Sequence, residues 1–138
     1  MTSPTAATDI CTKLREAGLR PTRQRTVLGR LLFGYGDRHV TAERLHAEAI
    51  RAGESVSLAT VYNTLHQFRR AGLLRELAID GIRAYFDTNT SNHNHFFMEE
   101  DGELIDIPSD TIRVDGLPTP PEGMTISHID VVVRLVKK

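Results

Sequence analysis

The sequence predicts an α+β protein in which a helical first half precedes a second half of strands, and three observations carry this prediction. Up to about residue 72, apolar residues recur at the three-to-four spacing of amphipathic helices. Beyond that point the pattern changes to short apolar runs around two Asp-Gly dipeptides, at 80–81 and 101–102, which favour hairpin turns. The third observation is that basic residues concentrate in the first half and acidic residues in the second.

Composition indicates a globular protein with room for two small units. Of 138 residues, 40% are hydrophobic and 25% charged, and no apolar run approaches the roughly 18 residues of a membrane-spanning helix. The N-terminus lacks the pattern of a secretory signal, so we expect a cytoplasmic protein. Residues 1–87 hold 13 Lys and Arg against 9 Asp and Glu, and residues 88–138 hold 4 against 9. The single cysteine, Cys11, excludes an intrachain disulfide.

Four helices are predicted in the first half, each ended by glycine. The first ends at Gly18, the second lies between Pro21-Thr22 and the triplet GYG at 34–36, the third follows the N-cap Thr41 and ends near Gly53, and the fourth follows the N-cap Ser57 and ends at Gly72. Their predicted apolar stripes are Ile10, Leu14, Ala17, Val27, Leu28, Leu31, Leu32, Tyr35, Leu45, Ala49, Ile50, Leu58, Val61, Leu65 and Phe68. Helices followed by a hairpin of LLRELAI and IRAYFD form the layout of a winged helix-turn-helix, which we assign to residues 1–87.

The second half predicts a small sheet. TNTSN at 88–92 is a polar connector and the expected hinge, and residues 93–138 form the second domain. HNHFFMEE, GELIDI and ISHIDVVVRLV are expected to form a three-stranded antiparallel sheet. Three strands are too few to bury their own faces, so we expect this small C-terminal α/β domain to complete its core by forming a homodimer.

The fourth helix, SLATVYNTLHQFRRAG, has the distribution of a DNA-recognition helix. If its apolar stripe faces the core, short and hydrogen-bonding side chains turn outward near its start and arginines near its end. Asn63 suits an adenine edge, and the Tyr62 ring or Ala59 suits a thymine methyl group. The candidate DNA-binding residues are Arg20, Arg23, Arg25, Ser57, Ala59, Thr60, Tyr62, Asn63, His66 and Arg70. The alternative is an ordinary solvated helix face.

The second half also carries candidate metal ligands. Because side chains alternate along a strand, His93 and His95 share one face. A two-residue turn at 101–102 would place His95 opposite Pro108 and Asp106 diagonal to His95, close enough for one ion. Asp87, just before the connector, can fold back toward the same point. Two imidazoles and two carboxylates suit Mn(II), Fe(II) or Zn(II).

An enzymatic interpretation of the same stretch starts from the pattern HxHxxxE. His93, His95 and Glu99 would then form the 2-His-1-carboxylate triad of a cupin-type oxygenase, with Glu99 on the face of His93. A cupin barrel needs many more strands than about 50 residues provide. We therefore prefer a site that senses a metal to one that catalyses a reaction.

These motifs together resemble the ferric uptake regulator family, which comprises metal-responsive bacterial repressors with an N-terminal winged helix and a C-terminal dimerisation domain. The resemblance lies in GLRPTRQR, HVTAE, SLATVYNTLHQFRRAGLL, the YFDTN and HNHF segments, and LIDI. It implies a regulatory metal site of His39, Asp87, His93, His95 and Asp106, although spacing alone gave His39 no role. It also implies a dimer that binds a near-palindromic operator.

Departures from the family pattern narrow the resemblance. The CxxC pairs of a structural zinc site are missing, and Asn92 and Asn94 stand where a second site often has His and Asp, so that only His128 remains. The cysteine-free second half resembles the iron response regulator (Irr) subgroup, which implies haem sensing through His93 and His95 and control of iron and haem genes. The haem segment, often HHH, is HNH here. Asp87 instead resembles the peroxide-sensing members, in which a ligand histidine is oxidised.

Overall fold

The structure, a computed structural model, describes residues 6–79, 81 and 83–138. Its residues divide into two compact units, Met1–Thr90 and Ser91–Lys138, with a boundary inside the predicted connector 88–92. Apart from one two-residue strand, the helices precede the strands along the chain, and the strands pair mainly as antiparallel neighbours, which confirms the predicted α+β class. None of the helices in these described ranges is both long and apolar enough to cross a bilayer.

The first unit contains four helices and a three-stranded sheet. The helices are α1 (Ala6–Glu16), α2 (Arg23–Phe33), α3 (Ala42–Arg51) and α4 (Leu58–Arg70), and the strands are β1 (His39–Val40), β2 (Arg75–Ala78) and β3 (Ala84–Asp87). The sheet order is β1-β3-β2, with both pairings antiparallel. This arrangement is the predicted winged helix, with β1 added to the hairpin.

Side-chain caps fix where the helices begin. The Thr41 hydroxyl accepts a hydrogen bond from Arg44 N, and the Ser57 hydroxyl accepts one from Thr60 N, which confirms both predicted N-caps. Thr22 caps α2 in the same way through Arg25 N. Each cap satisfies an amide that has no partner within its own helix, so the start of α4 is set locally by the sequence.

The core of the first unit is formed by the inward faces of the four helices described, together with Val40 of β1, Leu74, and Phe86 of β3. Its buried members are Ile10, Leu14, Leu28, Leu32, Val40, Ala42, Leu45, Ala49, Val61, Leu65, Phe68, Leu74 and Phe86. For three residues of the predicted apolar stripes, the expected burial is wrong: Tyr35, Ile50 and Leu58 are exposed. Each lies at or beyond a helix end, where the apolar face runs past the neighbouring helices.

The wing hairpin has the predicted strands. Arg75 pairs with Asp87 and Ala78 with Ala84. Gly81 has a φ of 75°, a conformation that glycine adopts without strain. Asp80 and Ile82, its neighbours, lie outside the described residues, so the predicted turn type at 80–81 stays a prediction.

The second unit is a small sheet with strands β4 (Asn94–Met98), β5 (Leu104–Ile107) and β6 (Val132–Leu135). Its order is β5-β4-β6, and β6 runs parallel to β4, so the sheet is mixed and not wholly antiparallel as predicted. The predicted last strand, 126–136, is shortened to these four residues. Residues 91–138, all of which the structure describes, contain no helix, so the expected α/β character of this unit is also wrong.

The hairpin between β4 and β5 has a longer loop than predicted. Met98 N donates to Glu103 O at 2.9 Å and Gly102 N to Met98 O at 2.9 Å, which encloses the four residues 99–102. Gly102, at the end of the loop, has a φ of 70°. His95 therefore lies directly opposite Asp106, not opposite Pro108. The error is an even number of residues, so the predicted face of every ligand is retained.

Candidate metal centre and nucleic-acid interface

The first unit holds two candidate metal ligands, a histidine and a carboxylate. His39 and Asp87 are cross-strand partners in β1 and β3. His39 Nε2 lies 3.2 Å from Asp87 Oδ2, and the Asp87 side chain is 1% exposed. The other carboxylate oxygen, Oδ1, accepts from Asn89 N at 2.9 Å, which holds the carboxylate in one orientation. Oδ1 therefore orients the carboxylate, whereas Oδ2 is the oxygen beside His39.

The peptide beside this pair is clamped across the strands. Arg38 N donates to Thr88 Oγ1 at 2.8 Å, and Thr88 N donates to Arg38 O at 3.1 Å. The Arg38 guanidinium donates one hydrogen bond to each carboxylate oxygen of Glu48 in α3, at 2.9 and 2.6 Å. Such bidentate pairs restrict geometry strongly, so β1 is fixed both to β3 and to α3.

The second unit brings His93, His95 and Asp106 together. Asp106 Oδ1 lies 3.4 Å from His93 Nε2 and 3.5 Å from His95 Nε2, and the two imidazole rings are 4.5 Å apart between centroids. The side chains of His93 and His95 are 5% and 0% exposed, whereas Asp106 is 37% exposed. The shared face predicted for the three side chains is therefore present.

The donor atoms fit a small divalent ion. Ligand atoms that each lie about 2.0–2.2 Å from one ion are themselves about 2.8–3.6 Å apart in tetrahedral or octahedral geometry. The nitrogen–oxygen separations of 3.2, 3.4 and 3.5 Å fall in that range. His93 Nδ1 lies 2.7 Å from Ser91 O, and because a carbonyl only accepts, Nδ1 carries the proton. In the neutral ring this places the lone pair on Nε2, the atom beside Asp106 and the tautomer a metal requires.

The triad of the enzymatic interpretation is not assembled. Glu99 follows the end of β4, and its carboxylate lies 3.8 Å from the Arg134 guanidinium. Asp106, from the opposite strand, is the carboxylate beside the two histidines. The pattern HxHxxxE therefore predicted the wrong acid, because a loop begins where the strand was assumed to continue.

A second cluster of ligands is not formed around His128. Its Nε2 lies 3.4 Å from Asp130, and Asn94 Oδ1 accepts from Val131 N at 3.2 Å. Asn92, Asn94 and His128 line a cavity of about 290 Å³ with several isoleucines. Among the residues described, His128 belongs to no group of three or more side chains placed to hold a metal.

The outward face of α4 has the predicted composition. Ala59, Asn63 and Arg70 are exposed, whereas Tyr62 and His66 are half-buried. Ser57 and Thr60 are engaged in the N-cap, where the Ser57 hydroxyl donates to the Thr60 hydroxyl at 2.9 Å. The start of α4 consequently presents small side chains and a free amide side chain at Asn63, as a groove-reading helix requires.

The three arginines before and within α2 differ in their engagement. Arg25 Nε donates to Gln67 Oε1 at 3.1 Å and its NH1 to Arg20 O at 2.9 Å, so Arg25 connects the start of α2 to α4. Arg23 pairs with Glu54 at 3.0 Å while its side chain is 80% exposed. The Arg20 side chain is exposed. Arg20 and Arg23 are therefore better placed than Arg25 for phosphate contacts.

The four helices described, the three-stranded wing and the buried histidine and carboxylate side chains define the class of protein: a winged-helix protein with candidate metal ligands on its wing. Residues 16–134 match the Ferric uptake regulator family, and the chain belongs to that family. Its members are metal-responsive transcriptional regulators. The predicted family resemblance is thereby confirmed.

Individual relatives agree with this assignment. The chain is 38% identical over 95 residues to a ferric uptake regulation protein of Pseudomonas aeruginosa, covering 68% of this chain and 71% of that one. It is 36% identical over 93 residues to the peroxide-responsive repressor PerR of Staphylococcus aureus, covering 67% and 62%. The manganese-bound ferric uptake regulator of P. aeruginosa superposes with a TM-score of 0.70 at 30% identity, covering 94% and 98%. That of Vibrio cholerae gives 0.74 at 25% identity, covering 92% and 98%.

Proposed function

We propose that this protein is a DNA-binding transcriptional regulator whose operator affinity depends on one divalent ion bound by His39, Asp87, His93, His95 and Asp106. The observation that carries the proposal is that each unit supplies an incomplete set of ligands, two from the wing and three from the second sheet. Neither set alone completes the coordination of a transition metal. We infer that the two sets act together.

The proposed mechanism is a change in the angle between the units. A bound ion supplies the bonds that join the wing to β4 and β5. The residues TNTSN at 88–92 then serve as the hinge, and α4 is presented to DNA at a fixed angle. Ion binding shifts the equilibrium only by its differential affinity for this arrangement. Three imidazoles and two carboxylates suit Fe(II), Mn(II) or Zn(II), and we favour iron status as the signal.

Asn63 is expected to provide base specificity. With a duplex selected from a random-sequence library by the Mn(II)-loaded protein (the selected duplex), Asn63→Ala should lose about 5- to 150-fold affinity, since a bidentate contact to adenine is worth about 1–3 kcal/mol. The loss should vanish for duplexes in which the contacted A·T pair is changed. Fluorescence anisotropy titrations measure both affinities.

Arg70→Gln provides the matched contrast on the same helix. A phosphate contact carries no sequence information, so this variant should weaken binding to all duplexes alike and reduce the salt slope by about one. Equal losses for Asn63→Ala on every duplex would contradict the recognition role of α4. No metal-dependent duplex binding at all by the wild-type protein would contradict the proposed function itself.

We also propose that the protein is a homodimer through its second unit. This unit leaves several large apolar side chains exposed: Val114, Leu117, Met124, Ile126, Ile129 and Val136. Three of them, Val114, Ile126 and Ile129, line one cavity and form an apolar patch, and exposed apolar patches mark interfaces. Two copies related by a twofold axis would present two α4 helices to the halves of a near-palindromic operator in the cytoplasm.

Charge placed in this apolar patch should separate the dimer. The double variant Ile126→Asp with Ile129→Asp is expected to sediment as a single chain where the wild type sediments as two, because two buried carboxylates would lack partners. Ile50→Asp, at an exposed isoleucine of the first unit, is the control and should leave the mass unchanged. If the wild-type protein sedimented as a single chain, the proposed homodimer would be refuted.

Two finer sensing roles remain as alternatives within the family. Asp87, with PerR among the relatives, favours peroxide sensing, in which a peptide containing His39 or His93 would gain one oxygen atom after peroxide treatment. Mass spectrometry without that gain would remove this role. Haem at His93 and His95, expected from the Irr resemblance, is less well supported. These imidazole side chains are 5% and 0% exposed, a setting that suits a small ion better than a macrocycle.

A further inference from the structure

Tyr62 of α4 is joined to α3 by a short hydrogen bond. Its hydroxyl donates to Glu43 Oε1 at 2.6 Å, and Glu43 is exposed in the first turn of α3. A hydroxyl bonded to a carboxylate at this distance forms a strong, charge-assisted bond. A phenol has a single proton to donate, so the Tyr62 oxygen retains only acceptor capacity.

The ring of Tyr62 is also held on its face. It stacks on the imidazole of His66 with 6.4 Å between centroids and 18° between planes. His66 in turn meets the buried ring of Phe86 edge-on at 5.6 Å and 82°. Tyr62 is therefore fixed at its hydroxyl by α3 and along its ring by a stack that rests on the core.

We propose that Glu43 is a positioning residue that makes Tyr62 a reader of thymine methyl groups. The inference rests on the proposed function, since it assigns a role within the same recognition helix. Phosphates and most base atoms at the groove floor are acceptors, and a phenol whose proton is already donated cannot bond to them. Apart from an acceptor oxygen, which suits only the amino groups of adenine and cytosine, Tyr62 offers DNA its ring edge, and the apolar group in the major groove is the thymine methyl.

The acid–base state of Tyr62 agrees with this role. The hydrogen bond to Glu43, followed by burial and by the Glu43 charge, raises the Tyr62 pKa above the ordinary value of 10.0. The raised pKa keeps the Tyr62 hydroxyl protonated at neutral pH, so it can donate to Glu43 under the conditions of a DNA-binding measurement.

The alternative is that Glu43 has only a structural role. Its carboxylate would then stabilise α3 through attraction to the positive N-terminal end of that helix. The two roles predict different behaviour for two substitutions. Glu43→Gln removes the charge but keeps an oxygen that accepts from the phenol. Glu43→Ala removes both. Only the positioning role requires the two variants to differ in base discrimination.

The experiment compares the selected duplex with the same duplex carrying deoxyuridine in place of thymine, each titrated with the Mn(II)-loaded full-length protein. Wild type should bind the deoxyuridine duplex about fourfold more weakly for each thymine read, the factor for one buried methyl group. Glu43→Gln should keep this ratio. Glu43→Ala should bring it close to one, because the Tyr62 ring, no longer held by α3, loses its preference for the duplex with the methyl groups.

Tyr62→Phe keeps the ring without the hydroxyl and provides the second variant. It should reduce the thymine ratio as Glu43→Ala does, and the double variant should lose nothing further, since both changes break one bond. The absorbance of tyrosinate in alkaline titration should show one of the three tyrosines shifted to lower pKa in Glu43→Ala.

The outcomes separate the two proposals. A thymine ratio that survives in both Glu43→Ala and Tyr62→Phe, or a wild type that binds both duplexes equally, overturns the role of Glu43 while leaving regulated DNA binding intact. A wild type that selects no duplex with metal present overturns the proposed function, and the role of Glu43 falls with it.

Discussion

Replacing His93 and His95 together by alanine is expected to abolish the dependence of DNA binding on metal. For the wild type we expect added Mn(II) to raise affinity for the selected duplex by roughly 5- to 150-fold, the usual range of coupling between two sites. In the double variant the affinities with Mn(II) and with chelator should be equal. The reason is that only Asp106 would remain of the three candidate ligands in the second unit. One carboxylate is too few to hold an ion to the second unit, so the ion could no longer couple the two units.

Metal content is the independent measurement for this variant. Elemental analysis should fall from one ion per chain to none, and circular dichroism should show the helices of the first unit unchanged. His128→Ala is the matched control, because His128 lies in the same unit and pairs only with Asp130 and Ser127 among the contacts observed for it. Metal-dependent binding that survives in the double variant would place the regulatory ligands elsewhere.

Local signals in the sequence were sufficient for most of the first unit. Thr41 and Ser57 are short hydroxyl residues before apolar periodic segments, and both are the caps observed. The apolar stripe of α4 was correct at Val61, Leu65 and Phe68 but failed at Leu58. Periodicity shows which side of a helix is apolar, whereas the extent to which that side is covered depends on where neighbouring helices end.

The second unit was harder to predict because its pairing is not local. The Asp-Gly dipeptide at 101–102 indicated a turn, yet it forms the end of a four-residue loop and so shifts the register by two. The parallel pairing of β6 with β4 left no mark on the sequence, since a strand of valines can pair in either direction. Because His93 and His95 keep their predicted face, they lie beside Asp106 as predicted even though the predicted register was wrong.

The candidate site was also hard to predict because it depends on contacts that are not local in the sequence. His39 lies in a two-residue strand, too short to produce a periodic signal, and only the family resemblance indicated it. The structure adds the physical reason, which is the pairing of His39 with Asp87 and the clamp of Arg38 on Thr88 and Glu48. Contacts between residues about 50 positions apart, such as Arg38 and Thr88, cannot be read from spacing.

Phe68→Ala is expected to destabilise the first unit by about 3–5 kcal/mol, the usual cost of removing a buried aromatic ring. The Phe68 side chain is 0% exposed, and its ring lies 6.0 Å from that of Phe33 between centroids. This ring joins α4 to α2, so its loss leaves a cavity between the two helices that closes only if one of them moves. With domains typically stable by about 5–15 kcal/mol, the variant should lie near the threshold of unfolding.

Thermal unfolding followed at 222 nm reports this change directly, because all four helices described lie in the first unit. At about 4–8 °C for each kcal/mol in a domain of this size, the midpoint should fall by roughly 12–40 °C.

Leu58→Ala is the matched control on the same helix, since Leu58 is 37% exposed and should change stability by no more than about 0.5 kcal/mol. Below its own midpoint, Phe68→Ala should still bind the selected duplex in a metal-dependent way, because Phe68 is a core residue and is neither a candidate metal ligand nor a candidate DNA-binding residue. A small midpoint shift would mean that α4 is not packed as observed, whereas a lost metal response in the folded variant would mean that Phe68 also takes part in coupling.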